Sequence, residues 1–399
     1  MEDYNISSKP GKIITKTVWI LSLVSLFTDI ASEMLYPVMP IYLKSIGFSI
    51  VLIGVLEGFA EAIAGLSKGY FGKLSDNSGK RLPFVQWGYL LSALSKPMMA
   101  IWAFPFWIFS AKTVDRLGKG IRTGARDAML SDETKLETKG AVFGFHRSMD
   151  TLGAAIGPLL ALGFLYFYPG NYKMLFYFAF IPGIIAIGFT FLLKDKNPVP
   201  KASRINTSFF NFVSYWKKSP PQYRKLVLGL LLFTLFNSSD VFLLLKLKEN
   251  GLSDMATIGT YIFYNVVYAL FAYPLGIIAD RLGLKNIFIG GLILFAIVYI
   301  GMAFNTNLYL FFALFFLYGV YAAATEGISK AWISNITDKR DTATAIGTFA
   351  GFQSICTMIA SSVAGVLWFN FGSMATFITT AIITCVVVVY LSALKTAAA

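Results

Sequence analysis

Apolar residues fill this chain in long runs broken by short polar stretches. Twelve such runs can be marked, near 18–43, 50–74, 83–101, 105–127, 140–168, 172–193, 223–247, 255–279, 286–304, 308–334, 341–369 and 373–394. A helix needs about 20 apolar residues to cross a ~30 Å hydrocarbon layer, so each run predicts one membrane-spanning helix. Composition agrees: 56% of residues are hydrophobic and 14% charged, which suits no ordinary soluble domain. The expected fold is an all-α membrane protein of twelve transmembrane helices.

Charge sets the expected orientation. With the amino terminus inside, 23 of the 34 Lys and Arg residues fall in inner segments, and only Lys44, Lys173, Lys246 and Lys248 fall outside. Cationic loops resist translocation, so both termini are expected in the cytoplasm and the protein in the cell (inner) membrane. The net charge of +13 then marks topology, and a nucleic-acid partner is not expected. Met1 to Lys16 is polar and carries no cleavable-signal pattern. Cys356 and Cys385 lie inside predicted helices and read as small apolar packing residues.

Residues 194–222, with four prolines, form the one long polar connection. They divide the chain into an expected six-helix bundle at 1–193, a cytoplasmic linker at 194–222 and a second bundle at 223–399. The halves repeat each other. Phe27-Thr28 matches Phe233-Thr234 at a spacing of 206, and Gly120-Ile121 matches Gly327-Ile328 at 207. The loop from Gly72 through Asp76 to Lys80-Arg81 recurs from Gly276 through Asp280-Arg281 to Lys285. Repeated six-helix units with a site between them mark one class of secondary transporter.

That loop, present in both halves, resembles the signature loop of the major facilitator superfamily. Asp115-Arg-Leu-Gly-Lys-Gly-Ile-Arg122 resembles the superfamily's basic motif on helix 4. The run Gly153-Ala-Ala-Ile-Gly157-Pro158 is similar to the glycine-proline motif of its proton-coupled antiporters. One departure is that Asn77 stands where a basic residue usually follows the loop's Asp. The resemblance implies two pseudo-symmetric six-helix bundles, a cavity lined by helices 1, 4, 7 and 10, and a gate at the loops. Asp76, Arg81, Asp280 and Arg281 are the gating candidates, each carboxylate facing a helix N-terminus of the other half.

Fifteen charged residues fall inside the predicted spans: Lys96, Lys112, Arg116, Lys119, Arg122, Arg147, Lys330, Asp29, Glu33, Glu57, Glu61, Asp115, Asp150, Asp240 and Glu326. Facing lipid, each costs roughly 2.5–3.5 kcal/mol. Together that is on the order of 45 kcal/mol, well beyond a stability of about 5–15 kcal/mol. They must therefore face one another or water.

On helix 4, Lys112, Asp115, Lys119, Arg122 and Arg126 follow a 3-4-3-4 spacing that predicts one stripe, with Gly118, Gly120 and Gly124 admitting a neighbouring helix. Arg126, nearest the cytosol, reads as structural. The stripe serves either as an anion-binding wall or as an ion-pair ladder. Asp29 and Glu33 lie one turn apart on helix 1, and Glu57 and Glu61 on helix 2. Paired carboxylates in a low dielectric can carry a proton. Glu326, at the repeat position of Lys119, and Asp240, beside Asn237 and Ser238, are the second-half candidates. Lys330 is placed to pair with Glu326 along the helix. Tyr318, Tyr321 and Trp332 are possible aromatic walls. His146 is the one histidine, which argues against a metal site and allows either proton transfer or a hydrogen bond near helix 4.

The expected function is alternating-access transport of a small polar, anionic or zwitterionic solute, with Asp29, Glu33, Lys112, Asp115, Lys119, Arg122, Asp240 and Glu326 at the binding and coupling site. The proton is the expected coupling ion and no other cofactor is expected. The glycine-proline motif implies antiport and efflux; proton symport is the alternative. The chain lacks the motifs of a hydrolase or nucleotide-driven pump, so an enzyme is not expected. A non-transporting receptor, the rival of a different class, needs no charges facing a cavity. The expected partners are substrate and lipid, with the protein a monomer.

Overall fold

The computed structural model describes residues 13–36, 38–195 and 213–394. The first bundle holds α1 (Lys16–Glu33), α2 (Met39–Ser45), α3 (Ile50–Ser78), α4 (Leu82–Ile101), α5 (Pro105–Asp132), α6 (Lys139–Phe167) and α7 (Tyr172–Thr190). After a short α8 (Val213–Lys218), the second holds α9 (Pro221–Phe236), α10 (Val241–Glu249), α11 (Asp254–Leu282), α12 (Leu284–Phe304), α13 (Leu308–Asn335) and α14 (Thr342–Ala393). Gly372, at φ 82°, breaks α14 into two crossings. Together these elements make twelve crossings in two bundles of six. The face where α1 begins and α14 ends is called the lower face below.

Local chemistry sets the helix ends. Ser49, Asn171 and Ser253 accept hydrogen bonds from backbone N–H groups in the first turns of α3, α7 and α11, which satisfies donors that lack an intrahelical partner. Gly79 (φ 66°) and Gly283 (φ 97°) end α3 and α11 at matching places in the repeat. Both adopt a backbone that side-chain-bearing residues avoid.

Two spans expected to be continuous are not. The run 18–43 forms α1 and α2 with a break at 34–38, where a proline in the first turn of α2 removes a backbone donor. The run 223–247 forms α9 and α10 with a break at 237–240. There Asn237, Ser238, Ser239 and Asp240 bring side chains that compete with the helix for backbone groups. Shifted by 206 residues the first break falls at 240–244, so the two breaks lie about one helical turn apart within the repeat.

Residues 196–212 of the expected linker lie outside the described residues. Its described end is helical: Tyr215 of α8 is buried against Tyr223 of α9, ring centroids 5.3 Å apart.

Among the described residues, seven helical segments are long and apolar enough to cross a membrane. Two lie in the first bundle, and the other five cover all six crossings of the second. The shortfall in the first bundle includes α3 and α5, the helices interrupted most often by charge.

The bundles meet along two matched seams, α3 against the first arm of α14 and α6 against α11. Small residues let backbones touch there, as van der Waals packing between membrane helices requires. A Cβ on Gly140 would lie 2.6 Å from both the Gly276 carbonyl and Asp280 Oδ1, and one on Gly65 would lie 2.5 Å from Ser354 Cβ. Gly140→Val is therefore expected to cost about 1–3 kcal/mol of closed-state stability, as overpacking does. Cysteine labelling at the lower ends of α6 and α11 should rise; unchanged labelling and melting would contradict the seam.

Candidate functional site

The charged stripe of α5 is held by α3 and α4, which approach closely at glycines. A Cβ on Gly118 would lie 2.6 Å from the Gly88 carbonyl of α4, and one on Gly120 would collide with Ser67 of α3. This brings the cations to one side of a cavity in the upper half of the first bundle. Lys96 of α4 and Lys112, Asp115, Arg116, Lys119 and Arg122 of α5 line it, facing Asp29, Ser32, Glu33 and Tyr36.

Each charged group has a definable neighbourhood. Lys96 Nζ lies 2.9 Å from Asp115 Oδ1, and Ser95 donates to the same oxygen at 3.3 Å. Arg122 donates to Ser92 Oγ at 2.5 Å and stacks over Tyr89, 4.5 Å from the ring centroid. Arg116 reaches Glu61 of α3 at 3.9 Å. Lys119 is exposed to the cavity. Glu33 lies in the field of Lys119, Arg116 and Lys96, and its Oε2 is buried without a hydrogen-bond partner.

Below the cavity a second set of charges joins the bundles. Asp29 lies within hydrogen-bond reach of Asp150 on α6. Asp150 accepts from Ser25 at 2.6 Å and from Arg147 at 2.6 Å. Arg147 also donates to Tyr268 Oη at 2.5 Å and lies 3.2 Å from Glu326 across the seam. Asp127 pairs with Arg126 at 2.8 Å in its own bundle and with Lys330 of the other at 2.8 Å. His146 is buried near Arg126, Asp127 and Asp150, its Nε2 unpartnered.

At the lower face two carboxylates cap helices of the opposite bundle. Asp76 Oδ2 accepts from the Thr344 backbone N–H at 2.7 Å and from its hydroxyl at 2.6 Å, at the start of α14. Asp280 accepts from the Gly140 and Ala141 N–H groups, both at 2.7 Å, at the start of α6. A helix N-terminus stabilises negative charge through its free N–H groups and dipole. Arg81 approaches Asp76 at 3.6 Å and Asp132 at 3.3 Å, so it supplies the cation that Asn77 does not. Lys139 adds a bond to the Ser334 carbonyl at 2.8 Å. In this state the lower ends are joined.

The nominated residues thus fall into three places. Asp29, Glu33, Lys112, Asp115, Lys119 and Arg122 gather at the cavity. Asp240 lies in the second bundle at the α9–α10 break, bonded by Tyr318 Oη at 2.5 Å and Tyr264 Oη at 3.4 Å. Glu326 sits in the seam and pairs with Arg147, while Lys330 pairs with Asp127, so the expected intrahelical Glu326–Lys330 pair is not what forms. Arg126 departs from the stripe to bond Asp127 and Ser25. Arg281 is exposed, and no described contact involves it. The side chain of Glu57 lies outside the described residues. Tyr318, Tyr321 and Trp332 are buried packing residues.

Sequence reasoning passed over Arg116, Asp127, Arg147 and Asp150 as site members. Arg116 was findable, since it is four residues from Lys112 and three from Lys119. Asp127 stood at the margin of a predicted span, yet its side chain is only 1% exposed.

The profile described as Major Facilitator Superfamily matches residues 21–264 and 249–398. The chain belongs to the major facilitator superfamily. It is 32% identical over 361 residues to the uncharacterized MFS-type transporter MJ1317 of Methanocaldococcus jannaschii, covering 89% of each chain. It is 25% identical over 198 residues to citrate exporter 1 of Aspergillus niger, covering 47% of this chain and 36% of that one. Among solved structures it resembles the human organic anion transporter MFSD10, with a TM-score of 0.80, 16% identity and coverage of 94% and 98%. FucP in its outward conformation gives a TM-score of 0.78 at 12% identity, covering 96% and 99%. The protein is accordingly a membrane transporter of the major facilitator type.

In this family frame the glycine-proline run of α6 has a visible packing role. A Cβ on Gly153 would lie 2.5 Å from the Leu26 carbonyl, and one on Gly157 would lie 2.7 Å from the Met34 nitrogen. The run seats α1 against α6, directly behind Asp29 and Glu33.

The two ion pairs across the seams should differ in weight. Asp127→Asn leaves Lys330 and Arg126 without their buried counter-ion and is expected to cost about 3–5 kcal/mol. Glu326→Gln should cost under about 1 kcal/mol, because both partners are partly exposed and Arg147 keeps Asp150 and Tyr268. Thermal unfolding in detergent ranks the two; equal losses would contradict this assignment.

Proposed function

We propose that this transporter carries a small organic anion across the cell membrane, with proton coupling, from the cavity formed by α1, α4 and α5. The observation that carries the reading is that wall of five cations set against three carboxylates. A lipophilic cation would be repelled there. The names of two comparison proteins, an organic anion transporter and a citrate exporter, lean the same way. The bias of Lys and Arg toward the lower face supports cytoplasmic termini, and the joined lower ends then correspond to a state closed toward the cytoplasm.

Electrostatics favours one sign of coupling. A proton taken up at Glu33 removes a negative charge beside Lys119, Arg116 and Lys96, so it strengthens the hold on an anion. Proton and anion then load together, which is symport. A second reading is efflux by antiport, favoured by the glycine-proline run and by the citrate exporter's name. The packing role of Gly153 and Gly157 accounts for that run without an antiport mechanism.

Reconstitution tests the proposal. In liposomes, uptake of a labelled organic anion is expected to rise severalfold when an inward proton gradient is imposed. Lys119→Gln should reduce that uptake at least tenfold while leaving the melting temperature near the parent's. Stimulation by the opposite gradient would favour efflux, and flux confined to cations would overturn the anion assignment.

A further inference from the structure

The second bundle interrupts one of its crossings beside an acid. Between the sixteen residues of α9 and the nine of α10, residues 237–240 leave the helix. The four side chains there, Asn237, Ser238, Ser239 and Asp240, all carry oxygen. Among the described residues Asp240 makes no ion pair. Its hydrogen-bond donors are two hydroxyls, Tyr318 Oη at 2.5 Å and Tyr264 Oη at 3.4 Å. Glu326 and Arg147 act on it from a distance, and Arg147 is already bound to Asp150, Tyr268 and Glu326.

Beside this carboxylate three oxygens are buried without a hydrogen-bond partner: Asn237 Oδ1, Ser238 Oγ and Tyr299 Oη. Ser238 is 3% exposed and Tyr299 is fully buried. Tyr299 Oη lies beside the hydroxyls of Ser238 and Tyr318. The oxygens of Ser238, Tyr299, Tyr318 and Asp240 therefore form one continuous group. Asn237 turns its amide nitrogen to Tyr321 Oη at 3.3 Å, which leaves Oδ1 as an acceptor. Rings wall the group: Phe295 stacks on Tyr299 at 4.1 Å, and Tyr264 and Tyr321 flank Tyr318 at 5.2 and 5.3 Å.

Buried polar atoms without partners are costly, and three beside one acid call for an occupant. A proton on Asp240 would neutralise the acid and satisfy none of the three. An anion would be repelled by the carboxylate. The donors include no His or Cys, so they do not suit a soft or transition metal. A hard cation takes oxygen ligands of this mixed kind, from carboxylate, amide and hydroxyl groups. One carboxylate matches one positive charge, and interrupted helices supply such ion sites in other transporters.

We propose that the α9–α10 break binds a monovalent hard cation, sodium in chemical class, through Asp240, Asn237 Oδ1, Ser238 Oγ and Tyr299 Oη. The site lies in the second bundle, apart from the anion cavity, and does not rest on the anion reading. Such an ion ties the break in α9–α10 to α12 through Tyr299.

Thermal unfolding and radiolabelled-sodium binding on the full-length protein in detergent test this, with choline chloride keeping ionic strength constant. Sodium chloride is expected to raise the melting temperature in a saturable way that choline and potassium do not match, and sodium should bind at about one ion per chain. Asp240→Asn should abolish both effects. Ser238→Ala should weaken sodium affinity at least fivefold while the sodium-free melting temperature stays near the parent's. If Asp240→Asn does not fold, Tyr299→Phe takes its place beside Ser238→Ala, with the same loss of affinity expected. Equal stabilisation by sodium, potassium and choline is a general salt effect and overturns the proposal, leaving water as the occupant. Sodium binding undiminished in the folded variants puts the ion elsewhere and overturns it too.

Discussion

A charge inside a hydrocarbon layer must have a partner, and this requirement shapes most of the molecule. Fifteen ionisable side chains within the spans would together outweigh any plausible folding stability if they faced lipid. The first bundle meets the requirement by turning α5 inward and packing α3 and α4 tightly around it. Lys96 meets Asp115, Arg126 meets Asp127, and Arg147 meets Asp150 within the bundle. The glycines at 88, 118 and 120 allow that tight packing, each bringing the backbone of α5 close to α3 or α4. The second bundle, poorer in charge, packs instead through rings such as Phe295 on Tyr299 at 4.1 Å.

The charges that cross between bundles keep an alternative partner at home. Asp127 touches both Arg126 and Lys330, Arg147 touches both Asp150 and Glu326, and Glu326 and Lys330 stand four residues apart on α13. When the lower ends part, each group retains or regains a counter-ion within its own bundle. The separation therefore strands no bare charge, which would cost several kcal/mol per group. Asp76 and Asp280 differ: both accept from backbone N–H groups on the opposite bundle, which water replaces at an interface, and Asp76 also keeps Arg81 of its own bundle. The intrahelical Glu326–Lys330 pair that the spacing suggests thus describes an available state, while the closed state uses the longer-range pairs.

Twelve crossings, the two halves and the inward charges were legible because hydropathy and insertion cost act on local sequence. The cross-bundle contacts of Asp76 and Asp280 were legible through repetition of one loop. The breaks at 34–38 and 237–240 were not drawn, although Asn237-Ser-Ser-Asp240 carried the signal. A run of apolar residues on both sides outvoted four polar ones in any window long enough to find a span. Arg116 was left off the stripe, which named Asp115, for a similar reason. Spacings of three and four both satisfy a helical face, and only the position of α4 decides that Asp115 turns toward Lys96 while both residues border the cavity. Partners across the seams lie nearly 180 residues or more apart, and nothing in a single sequence pairs them.

Charge at the cavity also bears on how a carrier with the proposed proton coupling avoids leaking protons. Closing the upper end would seal the cavity from water and lower the dielectric around its walls, so any unbalanced charge becomes more costly to enclose. With anion and proton both bound, the proposed site holds less net positive charge than with the proton alone, since in the proton-only form Glu33 no longer offsets Lys119 and no anion replaces it. The proton-only form is thus harder to close over than the doubly loaded one, and the cations proposed to select the substrate penalise movement of the proton without it.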